Sequence, residues 1–566
     1  MRMSQLVLKT LREAPSDAEA ISHQLLVRAG YIRRLSSGVY TFMPLGMKVL
    51  KKLNRIVEDE FDNAGAQQIL MPALHPVEIW EQTGRLTKMQ DVLMLTDTKA
   101  GRFVLAPTHE EAVIQSVSSD LSSYKDLPAV VYQIQTKFRD EARPRFGLLR
   151  TKEFLMADAY SFDADQDAMR TSYQNIYQAY LKVFNRCQVP FAPVEADAGA
   201  IGGDVNHEFM APSAIGEDHF ASCPSCGYAA NIEAARTNGR RSDMSVASSE
   251  DMVLHHTPSA TDIKSAVESI NSQGFSLGAK DMLKSMVTMS PQGGLTMFLL
   301  PGDRELRIPA GYRLLEAEEF EQYEFLVKGF VGPMGMGEFG VRIVADFSVS
   351  DTDSWSAGAN VVDYHVTGAR VDRDFSVDEW DSVVVVRDGD PCPRCSTEMK
   401  LVRAVEIGHT FQLGLAYSSK LPFASFVGAD GQTHPFWMGC YGIGMTRLVA
   451  VIAEYFADEK GLRWPSEVAP YKVGLMSIGA SRSKDVLETA DKLYQELEEA
   501  GVEVIYDDRD LGPGVKFADL ELIGIPYLCV VGQRGIDSQK LEVRTRMDGS
   551  SAEVPIGDIV SYLVNI

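Results

Sequence analysis

Residues 137–154, KFRDEARPRFGLLRTKEF, carry the pattern that decides the fold of this chain: a strand, a charged loop and a second strand. The stretch holds six basic residues, although the chain as a whole has a formal net charge of −23 at pH 7. Exposed basic residues often only solvate a surface, and that interpretation suits an ordinary loop. The alternative is that the loop binds an anionic ligand, and the other segments must decide between the two.

Two more segments complete the pattern around this loop. QQILMPALHP (67–76) predicts a short apolar strand that ends at Pro72, and GCYGIGMTRLVAVIAE (439–454) predicts a glycine-rich strand running into a helix. The apolar spacing in residues 46–65 and 167–187 predicts two amphipathic helices, the second with an aromatic stripe for the core. Strands joined by charged loops and flanked by helices favour an α+β fold with a largely antiparallel sheet.

Length and composition limit the class of protein. At 566 residues the chain predicts roughly three to four domains, and 45 % hydrophobic with 23 % charged residues is typical of folded soluble proteins. No apolar run approaches the roughly 20 residues that cross a bilayer, and the N-terminal residues do not resemble a secretory signal. Seven cysteines, four of them in CxxC pairs, suit a reducing compartment. We therefore expect a cytoplasmic protein with no membrane partner.

Changes in composition along the chain predict four parts. Residues 1–222 and 401–466 share the mixed helix and strand pattern, whereas 223–400 are richer in Met, Ser and Gly and read as an insertion. Residues 467–566 follow a linker and alternate helix with strand, which predicts a small α/β domain with a mainly parallel sheet.

The two CxxC pairs flank the predicted insertion. Cys223 and Cys226 precede it, and Cys392 and Cys395 follow it. Four thiolates spaced in this way can share a tetrahedral zinc ion, provided that the insertion brings its two ends together. The alternative is a set of reduced turn cysteines without metal.

In their order and spacing, the strand ending at Pro72, the charged loop and the GCYGIGMTR segment resemble motifs 1, 2 and 3 of the class II aminoacyl-tRNA synthetases. APTHEE (106–111), EIGHTFQLG (406–414) and the loop itself are similar to one family in particular, the bacterial-type prolyl-tRNA synthetases. The resemblance runs over nearly the whole chain. It implies a ligase that activates L-proline with ATP and Mg²⁺ and transfers it to tRNA(Pro), releasing AMP and pyrophosphate.

The resemblance assigns roles in ATP binding and activation. Arg139 and Arg447 are the catalytic arginines, on the α- and γ-phosphates respectively, and arginine suits this work because its fork donates to two oxygens and stays ionised. Glu141 would contact the adenine amino group, and Phe154 would stack under the ring. The remaining nucleotide candidates, for magnesium, ribose or phosphate, are Glu406, Gln412, Arg150 and Gly444.

The resemblance also implies a proline pocket and an RNA surface. Thr108 and Glu110 would bind the substrate amine, with Cys440 beside the ring, although a buried cysteine can equally be a small core residue. The other proline-binding candidates are Arg139, Asp158, His409 and Gly442. The tRNA-binding candidates, each also explicable as a solvated charge, are Arg143 and Arg145 in the loop and Arg509 and Lys516 in the C-terminal part.

In the same family, the insertion is an editing domain that hydrolyses alanine mischarged onto tRNA(Pro). Such correction is needed because a missing methylene changes binding by only about 1–3 kcal/mol. Here Gly358 and Ala359 occupy the GAN turn, and His365 matches the pocket histidine, unless it is only structural. Met289 replaces an expected lysine, and Ser354 replaces an expected aspartate, with Asp353 beside it. We expect the domain to be present with altered activity or specificity.

The remaining expectations concern assembly and alternatives. The resemblance implies a homodimer, because the motif 1 strand and helix form the dimer interface in class II enzymes. The C-terminal part resembles the anticodon-binding domain of class IIa synthetases. A relative that only deacylates or binds tRNA is the main alternative, but such relatives usually lack a motif arginine or a domain. Synthetases for threonine or glycine are opposed by the THEE and GCYGIG matches.

Overall fold

The computed structural model describes residues 1–7, 9–197, 199, 201–203, 205–239, 251–349 and 354–566. The chain divides into two compact units. The first unit consists of Met1–Ala192, Ala200–Ile215 and Val405–Ile566, and the second of Pro193–Gly199 and Gly216–Ala404. Among the described helices, none has both the length and the apolar character needed to span a membrane.

A central sheet forms the core of the first unit, as the sequence predicted. Within this unit the hydrogen-bonded order is Lys400–Gly414, Trp437–Gly444, Glu153–Asp163, Ala129–Phe138 and Gln67–Gln68, and Val205–Pro212 makes an additional pairing with Lys400–Gly414. The four strands from Lys400–Gly414 to Ala129–Phe138 are antiparallel to their neighbours, and only the short strand Gln67–Gln68 joins in parallel. The predicted strand–loop–strand of residues 137–154 is therefore the end of a long hairpin.

Two long helices pack against this sheet as their apolar spacing predicted. The first, Pro44–Asn63, begins with Pro at its first position and buries Val49, Leu53 and Phe61 on one face. The second, Gln166–Arg186, is capped by the side chain of Asp165 and buries its aromatic stripe in the same core. The glycine-rich strand likewise runs directly into the helix Met445–Tyr455.

The apolar strand predicted up to Pro72 is wrong beyond its first two residues. Only Gln67–Gln68 pair as a strand. The Met71 amide donates to Oε1 of Gln133, 2.9 Å away, instead of to a backbone carbonyl, so the ladder ends early. Leu70 is 75 % exposed and contributes nothing to the core of this chain. The apolar run therefore predicted a longer strand than forms, because the side chain of Gln133 accepts the hydrogen bond that a neighbouring strand would otherwise accept.

The remaining elements of the first unit surround this core. Its α-helices are Ile21–Arg28, Pro44–Asn63, Val77–Thr83, Arg85–Lys88, Glu110–Val117, Gln166–Arg186, Met445–Tyr455, Lys484–Glu499, Pro513–Ile523, Gln533–Asp537 and Ile559–Asn565. Outside the central sheet and the C-terminal sheet, its short strands are Ile32–Ser36, Val39–Phe42, Leu74–Pro76, Met94–Thr98, Gly101–Leu105, Ser425–Val427, Thr433–Pro435, Ala457–Asp458 and Gly461–Leu462. Its 3-10 turns are Met3–Gln5, Tyr124–Asp126, Gly147–Leu149, Ser418–Lys420 and Ile556–Asp558.

The C-terminal part contains a sheet that is mixed rather than mainly parallel. Its order is Val504–Asp507, Val473–Ile478, Tyr527–Gly532, Lys540–Thr545 and Ser551–Pro555. The first three strands are parallel, but the last two form an antiparallel hairpin on one edge. The departure follows from the chain itself, because the short turn after Thr545 leaves no room for a crossover helix.

The second unit holds two further sheets with little helix. The smaller sheet has the order Val253–His256, Tyr364–Ala369 and Trp355–Gly358. The larger has the order Arg313–Leu314, Leu283–Met289, Leu295–Pro301, Arg342–Asp346 and Glu379–Asp381. The other elements of this unit are the strands Ala192–Glu195, Asp218–Ser222 and Ala229–Asn231, the helices Ile263–Asn271 and Ala317–Phe320, and the 3-10 turns Ala279–Asp281 and Met336–Phe339.

Candidate active site

The register of the central sheet gathers the predicted binding residues on one face. Across neighbouring strands, Gln133 pairs with Asp158, Asp158 with Gly442, and Gly442 with His409. Side chains alternate along a strand, so Cys440, two residues before Gly442, lies on the same side. Residues that are far apart in the sequence therefore line one surface.

Arg139 lies at the end of the motif 2 hairpin, with its guanidinium over the ring of Phe154 at 5.1 Å from the centroid. Its Nη2 donates to the carbonyl of Pro107 at 3.5 Å, and its buried Nε has no hydrogen-bond partner among the described residues. Burial and the neighbouring Arg447 lower the pKa of Arg139 from its ordinary value. A partly unsatisfied cation of this kind is suited to receive an anion.

The other loop residues fall into two groups. The carboxylate of Glu141 accepts from Nε of Arg150 at 2.8 Å, so these two nucleotide candidates form one pair. Arg143 and Arg145 are exposed on the loop, and the Arg145 guanidinium lies 5.4 Å from the ring centroid of Phe146. The loop therefore presents its outer arginines away from the sheet while it holds Glu141 in place.

Arg447, at the start of the helix Met445–Tyr455, is anchored to the sheet by a second group of residues. Its Nη1 donates to the carbonyl oxygen of Glu406 at 2.9 Å and lies 3.4 Å from that residue's Oε2. Although burial works to raise it, the pKa of Glu406 is lowered to about 2 by His409, Arg447 and Arg139. His409 stacks on Phe411 at 3.7 Å and bonds Glu406 Oε1 at 3.2 Å.

A further carboxylate, Glu208, joins this group although no sequence signal pointed to it. One ligand atom each from Glu208, Glu406 and His409 lies within 4.8 Å of the others. Oxygen ligands suit Mg²⁺, so the two carboxylates are the members that fit this ion. Glu208 comes from the strand Val205–Pro212, which only the folded sheet brings beside Lys400–Gly414.

The glycines and Gln412 of the predicted site lie along the same strands. A Cβ atom at Gly444 would come 3.3 Å from the Cβ of Arg447, and one at Gly442 would come 3.3 Å from the sulfur of Met156. Larger residues there would crowd the face that carries the site. Gln412 is half-buried and pairs with Gly439 across the strands.

The predicted amine-binding residues meet in a buried cluster. Oε1 of Glu110 accepts the hydroxyl of Thr108 at 2.8 Å and the thiol of Cys440 at 3.2 Å. Glu110 begins the helix Glu110–Val117, where the helix dipole favours a negative charge. Burial and the Glu110 charge raise the pKa of Cys440, so its thiol remains a donor. The structure thus brings Thr108, Glu110 and Cys440 into contact, and their role in binding an amine stays a prediction.

Arg85 is a member of this cluster that sequence reasoning missed. Gly84, with φ of 75°, ends the helix Val77–Thr83 in the left-handed conformation and turns the chain into Arg85. Nη1 of Arg85 donates to Oε2 of Glu110 at 2.9 Å and to Oε2 of Glu111 at 2.9 Å. A single arginine after a glycine carries no local signature, so only the folded chain reveals this contact.

Asp158 belongs to a buried network beneath the surface. Its Oδ1 lies 2.7 Å from the ammonium of Lys137, and its Oδ2 accepts from Gln133 and Tyr160 at 3.0 and 2.8 Å. Lys137 also lies 2.8 Å from Nδ1 of His109, whose pKa burial and Lys137 lower to about 2. The histidine is therefore neutral, with Nε2 donating to a backbone carbonyl at 3.0 Å. Lys137 is one of the six basic residues in the stretch 137–154, but its side chain is fully buried.

In the second unit, the four CxxC cysteines converge. Sγ of Cys223 lies 3.4 Å from that of Cys395, and Sγ of Cys226 lies 3.5 Å from that of Cys392. All four sulfurs lie within 4.8 Å of one another. Tetrahedral Zn–S bonds of about 2.3 Å would separate sulfurs by ~3.8 Å, so this set of thiols fits one zinc ion.

The predicted editing residues lie in the smaller sheet of the second unit. His365 is 4 % exposed, and its Nδ1 lies 2.7 Å from the hydroxyl of Thr257. Burial, reinforced by His255, lowers the pKa of His365 to about 4, so the ring is neutral at pH 7. At Gly358, a Cβ would come 2.3 Å from the carbonyl oxygen of Phe330, and the backbones pass too closely for any other residue.

The two positions that depart from the family pattern have different surroundings. Ser354 is 6 % exposed, whereas Met289 is half-buried at the end of the strand Leu283–Met289. The neighbouring Asp353 lies outside the described residues. Ala359, in the predicted turn, packs beside the core of this unit.

The two C-terminal tRNA candidates are tied into their own domain. Arg509 forms a paired contact with Asp507, with N–O distances of 2.8 and 2.7 Å, and also reaches Asp519. Lys516 is 2 % exposed, and its ammonium donates to the carbonyls of Ser477 and Asp507. In this conformation Lys516 shapes the loop near Arg509 and presents no ammonium to solvent.

Comparison with known proteins shows the families that the chain matches and the fold that it shares. The family described as "tRNA synthetase class II core domain (G, H, P, S and T)" matches residues 93–456, and the "Anticodon binding domain" family matches residues 472–566. Two solved structures of a prolyl-tRNA synthetase from Cryptosporidium parvum share the fold. One, with halofuginone and AMPPNP, has a TM-score of 0.57 at 13 % identity, over 96 % of this chain and 76 % of that one. The other, with L-proline and AMP, has a TM-score of 0.58 at 14 % identity, over 98 % and 77 %.

The relationship in sequence is much nearer. A proline–tRNA ligase from Persephonella marina is 41 % identical over 571 aligned positions, which cover 100 % of both chains. That similarity spans the synthetase core, the insertion and the C-terminal domain alike. This similarity over the full length, together with the match to the class II core family, shows that the chain belongs to the proline–tRNA ligase family of class II synthetases.

Proposed function

We propose that the chain activates L-proline with ATP and transfers it to the 3′ end of tRNA(Pro), releasing AMP and pyrophosphate. The observation that carries the proposal is the full-length 41 % identity to a proline–tRNA ligase. The site supports it because Arg139 and Arg447 both lower the pKa of Glu406. In addition, Glu110 lies in a buried cluster with Thr108 and Cys440.

In the activation step, the proline carboxylate attacks the α-phosphorus of ATP, and the bond to pyrophosphate breaks. Arg139 would contact both the α-phosphate and the carboxylate, and Arg447 the γ-phosphate, so two fixed cations neutralise the charge that develops. Phe154 would support the adenine, and Glu141, held by Arg150, would accept from its amino group. Gln412 and Gly444 would complete the nucleotide site.

In the same pocket, Glu110 and Thr108 would bind the secondary ammonium of proline, and Cys440 would lie against its ring. Asp158 and His409 would act less directly, because Asp158 is bound to Lys137 and His409 to Glu406. Gly442 would keep the face open. In the second step, the terminal ribose hydroxyl of tRNA attacks the carbonyl of the adenylate, and AMP leaves.

Magnesium fits the carboxylates of Glu406 and Glu208, which would hold it beside the phosphates. When bound, the ion would add positive charge against the phosphate oxygens. The residues themselves orient Arg447, since Glu406 accepts from its guanidinium through both the backbone carbonyl and the side chain.

Proline-dependent exchange of labelled pyrophosphate into ATP tests the activation step directly. We expect exchange with proline and none with threonine or glycine. Exchange that another class IIa amino acid supports and proline does not would overturn the assignment. Absence of exchange with every amino acid would favour a relative that only binds or deacylates tRNA.

We further propose that Cys223, Cys226, Cys392 and Cys395 hold one structural zinc ion. Metal analysis of the purified chain should give about one zinc per chain, and Cys226→Ser with Cys395→Ser should reduce it to near zero. The melting temperature should fall by at least about 5 °C, because zinc binding stabilises the segment that it closes. Cys187→Ala, at a buried cysteine outside the cluster, should leave the zinc content unchanged. A wild-type chain without zinc after purification in zinc-containing medium would contradict the proposal.

For the insertion, we propose an editing domain whose hydrolysis of alanyl-tRNA(Pro) is altered, because Met289 and Ser354 replace the expected lysine and aspartate. We expect hydrolysis that depends on His365 and that Met289→Lys increases by at least about fivefold, as roughly 1 kcal/mol of restored transition-state binding would give. Met252→Lys, at an exposed methionine of the same unit, should change nothing. If Met289→Lys hydrolyses alanyl-tRNA(Pro) no faster than the wild type does, the hypothesis of altered activity is contradicted.

Several proposals concern partners and setting. We propose that Arg143 and Arg145 contact the acceptor end of tRNA, and that Arg509, with the buried Lys516 behind it, lies near the anticodon. A homodimer would cover Leu70, which is 75 % exposed in the segment resembling motif 1. We also propose that the chain acts in the cytoplasm, where its free cysteines stay reduced.

A further inference from the structure

We propose that Arg85 is a positioning residue for amino-acid recognition: its guanidinium holds the Glu110 carboxylate ionised and aims it at the substrate ammonium. The role depends on the amine-binding function proposed above for Glu110. Nothing in the local sequence around Arg85 points to it, and its place in the pocket comes entirely from the fold.

The two oxygens of Glu110 have separate partners. Oε2 accepts from Nη1 of Arg85 at 2.9 Å, whereas Oε1 accepts from Thr108 and Cys440 at 2.8 and 3.2 Å. Arg85 thereby fixes one side of the carboxylate and leaves the other side toward the two neutral donors. A carboxylate held from one side by a charged partner has a defined orientation for its ligand.

Glu110 needs such a partner because its surroundings oppose a charge. Its side chain is 0 % exposed, and the next residue, Glu111, is a second fully buried carboxylate. Two adjacent buried carboxylates do not both ionise without a cation between them. Arg85 supplies that cation, since the same Nη1 lies 2.9 Å from each carboxylate.

Arg85 is itself held rigidly. Its side chain is 4 % exposed, and its guanidinium lies 4.9 Å from the ring of Trp80 and 5.2 Å from that of Tyr417. Glu111 accepts a hydrogen bond from Arg85 at 2.9 Å and one from the hydroxyl of Thr83 at 2.7 Å, and it thereby restricts the position of the arginine. Two of its nitrogens, Nε and Nη2, have no partner among the described residues, so the side chain faces acids through Nη1 alone.

The balance of these effects favours an ionised Glu110. Burial works to raise its pKa, but Arg85, Cys440 and Thr108 outweigh burial and hold it below the ordinary 4.5. Burial and Glu110 instead raise the pKa of Glu111. The titratable or charged groups that act on Glu110 from the packed elements are Arg85, Glu111, Cys440, Tyr417, Tyr160, His75, Lys137 and Arg139.

The sign of the expected pH effect follows. Removing Arg85 raises the pKa of Glu110, so the carboxylate is protonated at a higher pH and loses its attraction for a cationic amine. The ammonium of proline stays protonated over the same range, so the acidic limb of kcat/KM for proline reports on Glu110. In the wild type this limb should lie below about pH 5. In Arg85→Met it should move upward past about pH 6, because a fully buried carboxylate that has lost its cation resists ionisation.

The experiment is pyrophosphate exchange at varied proline and ATP from pH 5 to pH 8. For Arg85→Met we expect the KM for proline at pH 5 to rise at least about eightfold, since a limb above pH 6 leaves less than about a tenth of the carboxylate ionised there, with the KM for ATP changed less than about twofold. Arg85→Lys, which keeps the charge and loses the planar fork, should give an intermediate shift. If Arg85→Met does not fold, the shift in Arg85→Lys alone decides.

Arg304→Met is the matched control, because Arg304 forms a comparable pair with Asp390 at 2.8 Å in the second unit. It should leave the acidic limb in place. Glu110→Gln separates the two proposals. If it leaves the KM for proline unchanged, the amine-binding function of Glu110 is wrong; if it raises that KM while the Arg85 variants leave the acidic limb unmoved, Arg85 is only structural. An equal loss for both substrates at every pH would also overturn the positioning role.

Discussion

Replacing Arg139 with alanine is expected to reduce proline-dependent pyrophosphate exchange by at least about 10³-fold, the range seen when a phosphate-binding arginine is lost from phosphoryl-transfer enzymes. Arg139 lies over Phe154 with a buried Nε that has no partner among the described residues. A donor that no described residue satisfies is one that the transition state can use, so its loss should lower kcat more than it raises either KM.

The choice of variants separates lost chemistry from lost folding. Arg139→Lys keeps the charge but not the two-pronged donor set, and we expect it to recover only a small part of the activity. Arg102→Ala is the control, because that arginine is exposed and lies 3.7 Å from Asp97 on a short hairpin of the same unit. It should exchange at the wild-type rate. Activity of Arg139→Ala within tenfold of wild type would remove this residue from the catalytic step.

Replacing Lys137 with methionine is expected to lower the free energy of unfolding of the first unit by about 3–5 kcal/mol, because it leaves the buried Asp158 without its cation. Both side chains are almost fully buried, and their charged atoms lie 2.7 Å apart. Burial lowers the pKa of Lys137 and raises that of Asp158, while each charge opposes the shift of its partner. Removing one partner leaves the other with the burial cost alone.

Urea denaturation of the variant measures this cost. Lys137→Met with Asp158→Asn should recover part of the stability, because neither charge is then buried unpaired. Lys484→Met is the matched control: Lys484 forms a pair with Glu488 at 3.1 Å, but their side chains are 84 % and 62 % exposed, so its loss should change little. A stability of Lys137→Met equal to that of the wild type would show that the buried charge is compensated elsewhere.

The same substitution should also disturb the pocket, since Lys137 contacts His109, the residue between Thr108 and Glu110. The contact between Lys137 and His109 therefore ties the segment that holds Thr108 and Glu110 to the central sheet. We therefore expect Lys137→Met to raise the KM for proline as well as to lower stability, although the lysine itself is fully buried.

Much of the architecture could be read from local patterns. The apolar spacing of the helix Pro44–Asn63 and the glycine-rich strand before Met445–Tyr455 both appear in the structure close to their predicted bounds. These elements depend on periodicity and on glycine and proline, which act within a few residues. The apolar run to Pro72 failed as a strand because a distant side chain, that of Gln133, takes the backbone hydrogen bond.

The sequence by itself determined the strand–loop–strand hairpin and, through resemblance, the family, and it supplied the candidate residues for ATP and proline. Only the tertiary structure joined Arg85 to Glu110, Lys137 to Asp158 and the two CxxC pairs to each other, and only it buried Lys516. The reason is physical: periodicity and turn chemistry are local, whereas an ion pair or a metal site depends on which distant backbones the core brings within a few ångströms.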